Sequence, residues 1–262
     1  MQTVSEIIDL LKNNRFVIYG AGGHGKKVFT TICRLGLRDN FLGFAVSNPY
    51  DDFMYIANVD RNTLVLVAAH ETATREMEDC LTRLGFVRYV SIYPILIDFC
   101  CGMPYQKNVE IDVNEFLKSC KNDNYLGPVY LGIEAIMGKC EIGEAVYKKH
   151  IGFYATNDTI DRRWNNLQER VFRYANVHCP EPFNLQLNPK EHYVLDGCHR
   201  LVLAKYFDIS RLKADFYDIS FEHFSAMFDQ RYADDERLAE VFDKGEILAL
   251  HRAKRIMMGE TT

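Results

Sequence analysis

The sequence predicts an α/β protein in two parts: an N-terminal parallel sheet with helices between its strands, then an α+β domain that finishes in helices. Three observations lead there. Compact apolar runs alternate with amphipathic stretches from Arg15 to Ile92, the rhythm stops near Tyr93-Pro94, and two glycine-bearing turns each join an apolar run to a helical pattern. At 262 residues the chain exceeds the usual size of one domain, and 48% apolar residues with 17 Phe and 15 Tyr suffice for two cores. The expected division is 1–100 for the first domain, 101–126 for a junction and 127–262 for the second.

Residues 3–13 carry apolar positions at helical spacing and read as a short amphipathic helix. Arg15 to Tyr19 reads as a strand, Lys26 to Leu35 as a helix, and Phe41 to Val46 as the second strand. Thr63 to Ala68 is the strongest buried strand, His70 to Leu84 a helix, and Phe86 to Ile92 another strand. Beyond a polar helix near Val113–Ser119, Val129 to Ile133 reads as a strand and Asp161 to Ala175 as an amphipathic helix. Lys213 to Tyr217 reads as a strand, and residues 221–258 as helices with apolar positions that include Phe224, Met227, Phe228, Leu238, Val241 and Leu250.

Composition narrows the function classes. The net charge of −5 is spread along the chain without a Lys/Arg block, which argues against a nucleic-acid or anionic-membrane surface. The N-terminus lacks a basic n-region with a long apolar run, and no apolar stretch nears the roughly 20 residues of a membrane span. A soluble, cytoplasmic protein is expected. The eight Cys residues (Cys33, Cys80, Cys100, Cys101, Cys120, Cys140, Cys179 and Cys198) form no CxxC pair, so free thiols are expected rather than disulfides or structural zinc.

The first turn is Gly20-Ala-Gly22-Gly23-His24-Gly25, a GxGxxG that follows a strand and opens a helix. Gly20 permits the tight turn, Gly22 lets a phosphate approach the backbone and Gly25 lets the helix pack closely. The acidic residue that grips a ribose hydroxyl in dinucleotide sites has no clear counterpart, because the second strand ends at Val46-Ser47-Asn48 and the first carboxylates are Asp51 and Asp52. Val17 to Gly25, with Leu42-Gly-Phe44, Leu64 to Ala69 and Gly85-Phe86 leading to Ile92-Tyr-Pro94, resembles the N-terminal domains of bacterial sugar O- and N-acyltransferases. The resemblance spans about residues 13–95. It implies a Rossmann-like domain that holds a nucleotide-sugar or dinucleotide at Gly20, Gly22, Gly23, His24 and Gly25. The hexapeptide repeats that perform acyl transfer in that family are absent. The turn also reads as a purely structural one.

The second turn lies in His192-Tyr-Val-Leu-Asp-Gly-Cys-His-Arg-Leu-Val-Leu-Ala-Lys-Tyr206. A short strand passes abruptly into a helix, with Asp196 as the expected N-cap and the first-turn N–H groups forming an anion site. Cys198, His199 and Arg200 add a thiol, an imidazole and a permanent cation. Asp196-Gly-Cys-His-Arg200 resembles the ParB/sulfiredoxin superfamily: sulfiredoxins carry Gly-Gly-Cys-His-Arg here, and free-serine kinases carry Asp-Gly-His with an Arg nearby. The match extends from about Val129 to Tyr217, with His150 and Asn157 to Arg163 near a second phosphate-contacting segment. It implies ATP or another nucleoside triphosphate with Mg²⁺, held by Gly197, Cys198, His199 and Arg200.

Asp196 then caps the helix, assists Mg²⁺ or acts as a general base, and His199 donates to a phosphoryl oxygen. Cys198 is either a nucleophile with a lowered pKa or a small residue tolerated at the turn. Arg162-Arg163 with Trp164 is either a phosphate clamp or a solvated helix face. Glu134, Glu141 and Glu144 are further candidate bases, and His178-Cys179 before Pro180 reads as packing. The expected function is a small-molecule kinase with Asp196, His199 and Cys198 as catalytic residues, acting on a metabolite of amino-acid or surface-polysaccharide biosynthesis. A nucleotide-sensing module and sulfiredoxin-like chemistry at Cys198 are the alternatives. The expected partner is a small-molecule substrate, with no nucleic acid and no membrane, and a homo-oligomer is left open.

Overall fold

The computed structural model describes residues 3–48, 52–121, 123–152, 157–177, 184–222, 224 and 235–260. The chain divides into two compact units, Met1–Met103 and Pro104–Thr262.

Unit 1 starts with α1 (Val4–Asn13), closed by a capping box in which Thr3 and Glu6 satisfy each other's backbone N–H. The elements β1 (Phe16–Tyr19), α2 (Gly23–Arg34), β2 (Phe41–Val46), β3 (Met54–Tyr55) and β4 (Leu64–Val67) follow. Then come α3 (Glu71–Arg83), β5 (Tyr89–Ser91) and α4 (Leu96–Cys101). The five strands form one all-parallel sheet in the order β3-β2-β1-β4-β5. β1 and β4 are buried along their whole length, so they read as unbroken apolar runs rather than as alternating ones. The winding direction reverses between β1 and β4. In open α/β sheets the carboxyl ends of the two strands at such a reversal are the usual ligand position.

Unit 2 contains β6 (Gln106–Asp112), α5 (Val113–Leu117), α6 (Asp123–Ile136), α7 (Gly143–Gly152), α8 (Asn157–Val177) and β7 (Leu185–Asn188). It continues with β8 (Tyr193–Asp196), α9 (Cys198–Tyr206), β9 (Arg211–Phe216), α10 (Asp235–Val241) and α11 (Lys244–Met258). Its sheet is mixed, in the order β6-β9-β7-β8, with β7 parallel to β9 and the outer pairs antiparallel.

Two segments differ from the sequence expectation. Residues 101–126, read as a junction, contain β6, which pairs with β9 from Gln106 to Asp112 and so belongs to the unit-2 sheet. Its polar composition and the positive φ of Asn108 (56°) hide it from strand patterns. Val129 to Ile133 is the middle of α6, not a strand. Tyr125 to Glu134 of this helix are buried, and a continuous apolar run does not separate a buried helix from a buried strand. Gly132 explains the close approach. A Cβ there would meet Leu167 Cδ2 of α8 at 3.1 Å and Tyr147 Cβ of α7 at 3.2 Å. His178-Cys179-Pro180, Met227, Phe228 and Asp51 lie outside the described residues.

Candidate functional site

In unit 1 the GxGxxG turn has a separate physical reason for each glycine. Gly20 has φ +114°, and a Cβ on it would stand 2.7 Å from Ala68 O of the neighbouring β4 strand. A Cβ on Gly25 would stand 1.8 Å from Gly20 O, so only glycine lets α2 lie this close to β1. Gly22 and Gly23 face open space with nothing within 4 Å, and Gly22 caps α2 without a side-chain hydrogen bond. The backbone N–H groups at the start of α2 thus stand uncapped by any side chain.

Two residues to which the sequence reading gave no site role join His24 here. His70, which precedes α3, and Tyr93, which follows β5, form with His24 a triangle of rings. Its centroid separations are 6.4 Å for His24–His70, 6.0 Å for His24–Tyr93 and 5.1 Å for His70–Tyr93. All three are half-buried at the carboxyl end of the sheet. The signal that could have found them is topological: each directly follows a strand of the sheet. At the end of β2, where a carboxylate was sought, Ser47 instead bonds Tyr19 Oη at 2.6 Å.

In unit 2 the turn from β8 to α9 is as sharp as expected, but its capping differs. The N-cap is Gly197, in the left-handed region at φ 100°, with no side-chain cap. Asp196 is the exposed last residue of β8 and pairs instead with Arg200 (Oδ2 to Nη2, 3.2 Å). Arg200 is buried, and its guanidinium lies over Gly197, where a Cβ would stand 2.9 Å from Nη2. The expectation that Asp196 caps the helix is therefore corrected: Arg200 holds its carboxylate one turn further along, away from the helix N–H groups.

His199 shares a 2.9 Å hydrogen bond between Nε2 and Tyr147 Oη, and the two rings meet edge to face at 5.9 Å. Burial, with the Arg170, Arg163 and Arg200 charges and His150 nearby, pushes His199 down to about 3. Burial and Arg163 push His150 down to about 3 as well, so both imidazoles are neutral at pH 7. The structure thus brings Arg163, Arg170, Arg200, His150, His199 and Tyr147 together, of which Tyr147 and Arg170 were not foreseen. Arg162 is not among the charges that act on His199. Trp164 is buried in the unit-2 core, its ring 5.6 Å from that of Tyr147.

Cys198 packs against the unit-2 core. Burial and the Asp196 charge push its thiol up to about 12, so the lowered pKa of a nucleophile is not realised despite the helix N-terminus. Among the candidate bases, Glu134 is taken up by Arg252 and Glu144 by Lys148 at 2.9 Å. Among the described residues no three His, Cys, Asp or Glu side chains group as metal ligands, and no helix is long and apolar enough to cross a membrane.

Comparison with family models, curated proteins and solved structures returned no match. The functional reading rests on this geometry.

Proposed function

We propose that the chain is a nucleotide-dependent phosphotransferase whose unit 2 is ParB/sulfiredoxin-like and binds a nucleoside triphosphate, ATP in the first instance, at the turn from Asp196 to Arg200. One observation carries the reading: a helix N-terminus without a side-chain cap opens beside a neutral His199 whose charged neighbours include three arginines, Arg163, Arg170 and Arg200. Helix N–H groups and guanidinium forks are the two protein devices that best suit phosphate oxygens.

In this reading the N–H groups of Cys198, His199 and Arg200 cradle the phosphates and Arg163 adds charge from α8. His199 donates a hydrogen bond. Asp196, exposed on the solvent side of the turn, accepts the proton of the attacking hydroxyl. The residues present fit Mg²⁺ only as a partner of bound phosphates. Asp196 supplies one carboxylate, and Mg²⁺ commonly takes one or two carboxylates with the rest of its shell from phosphate and water. When bound it would neutralise phosphate charge. Cys198 has no chemical part.

Unit 1 is read as Rossmann-like. Its crevice at Gly20, Gly22, Gly23, His24 and Gly25, flanked by His70 and Tyr93, takes a nucleotide-sugar or a second nucleotide. The acceptor is a small hydroxylated metabolite, and the protein works in the cytoplasm without nucleic acid. The test is phosphorus NMR of the full chain with ATP, Mg²⁺ and a pool of hydroxylated metabolites. A new phosphoester signal that disappears in Asp196→Asn is the expected result. Bound but unaltered ATP would replace the kinase by a nucleotide sensor.

A further inference from the structure

His199 is held at one end only. Its Nε2 meets Tyr147 Oη at 2.9 Å, while among the described residues its Nδ1 has no hydrogen-bond partner. Tyr147 is itself fixed: it is 1% exposed, wedged against Gly132 of α6 and in ring contact with Trp164. The phenol has one proton and two acceptors in reach, the imidazole nitrogen at 2.9 Å and the Arg163 carbonyl at 3.5 Å. That carbonyl lies within α8, where the helical ladder already engages it. A phenol O–H is a better donor than a neutral imidazole N–H, and an imidazole nitrogen a better acceptor than a phenol oxygen. The short contact therefore takes the phenol proton and leaves the imidazole proton on Nδ1.

We propose that Tyr147 is a positioning residue that locks His199 in the neutral Nδ1–H form, so that His199 meets the bound anion as a fixed hydrogen-bond donor and never as a base. The groups that face the imidazole agree with this. Tyr147 and His150 come from α7, Arg163 and Arg170 from α8 and Arg200 from α9, and the three arginines oppose a further positive charge on the ring. The anion's charge is then met by arginine, and the imidazole supplies direction. The part that concerns the anion rests on the phosphotransferase reading; the tautomer does not.

The experiment uses the full chain labelled with ¹⁵N-histidine and no nucleotide, with His199 assigned through His199→Gln. Long-range proton–nitrogen correlations should show a pyrrole-type Nδ1 and a pyridine-type Nε2, unchanged from pH 8 to pH 5. A pyrrole-type Nε2, or an imidazolium at pH 6, overturns the proposal. In Tyr147→Phe both tautomers should appear, and calorimetric affinity for ATP should fall about two- to fivefold, the inverse of the fraction of chains that keep the Nδ1–H form. Unchanged ATP affinity in that variant would refute the donor role. Should the variant fail to fold, the wild-type spectrum still decides. A wild type with the stated tautomer but no ATP binding would sink the phosphotransferase reading alone.

Discussion

Replacing Gly197 by alanine tests whether the β8–α9 turn is built as described. The backbone at Gly197 sits at φ +100°, and an L residue in the left-handed region costs about 1–2 kcal/mol. The new Cβ would stand 2.6 Å from Leu185 Cδ2, and Leu185 is 1% exposed with no room to retreat. It would also stand 2.9 Å from Arg200 Nη2, which can swing away, but only by leaving Asp196. Overpacking of this kind costs about 1–3 kcal/mol, so the total loss is roughly 2–5 kcal/mol. The chain's single tryptophan, Trp164, is buried in unit 2 and reports that unit alone, so urea unfolding followed by its fluorescence measures the effect. Gly138→Ala is the control. Gly138 has φ +71° and nothing within 4 Å of a Cβ, so it should lose only the backbone share, about 1–2 kcal/mol. Equal losses in the two variants would show that Leu185 and Arg200 do not press on the turn, and the account of how Arg200 is placed would be wrong.

Other outcomes follow from the same geometry. In unit 1, Gly25→Ala should disrupt the β1–α2 packing, because its Cβ would overlap a backbone oxygen at 1.8 Å, whereas Gly23→Ala should be neutral or up to about 1 kcal/mol more stable. Protease resistance of unit 1 separates the two, and equal resistance would refute the close-packing argument. His150 and His199 both fall from 6.5 to about 3 on folding, so the folded state binds fewer protons than the unfolded chain. The stability of unit 2 is then complete above pH 6.5 and declines as pH falls from 6.5 toward 3, by up to about 1.4 kcal/mol per pH unit for each histidine. Trp164-monitored urea midpoints at pH 7 and pH 5 should differ accordingly, and equal midpoints would contradict the burial of the two imidazoles. The Cys198 thiol, pushed up to about 12, should resist iodoacetamide at pH 8 while exposed Cys33 reacts, as read by peptide mass spectrometry.

How far the molecule was legible differs between its two units. In unit 1 the strands β1 and β4 stand out because burial along their whole length turns each into an apolar run, and the GxGxxG marks the turn after β1. His70 and Tyr93 were missed as neighbours of His24: His70 belongs to no motif, and Tyr93 entered only as part of the Ile92-Tyr-Pro94 resemblance. They reach His24 only through strand order, which composition and spacing do not encode. In unit 2 the apolar run of α6 defeated periodicity, since a stretch buried on every side from Tyr125 to Ile133 has no polar face to set its period. Strand β6 went unseen for the opposite reason: it is polar, interrupted by a bulge, and becomes a strand only through β9.

The two turns also show how similar local sequences acquire different surroundings. Both place glycine where a strand passes into a helix, and both leave the first helical N–H groups without a side-chain cap. At Gly20–Gly25 the glycines clear space, and the polar groups near it come from the next strand ends, His70 and Tyr93. At Gly197 the space is filled by Arg200, and the remaining polar groups come from two helices, α7 and α8, whose positions depend on the misread core helix α6. The residues that set the surroundings of His199, Tyr147 and Arg170, are therefore legible only after α6 is placed. Its motif names the nitrogen donors but not which of them stays neutral. Packing decides that: Gly132 of α6 holds Tyr147, Tyr147 holds His199, and burial, helped by the arginines, keeps the imidazole uncharged.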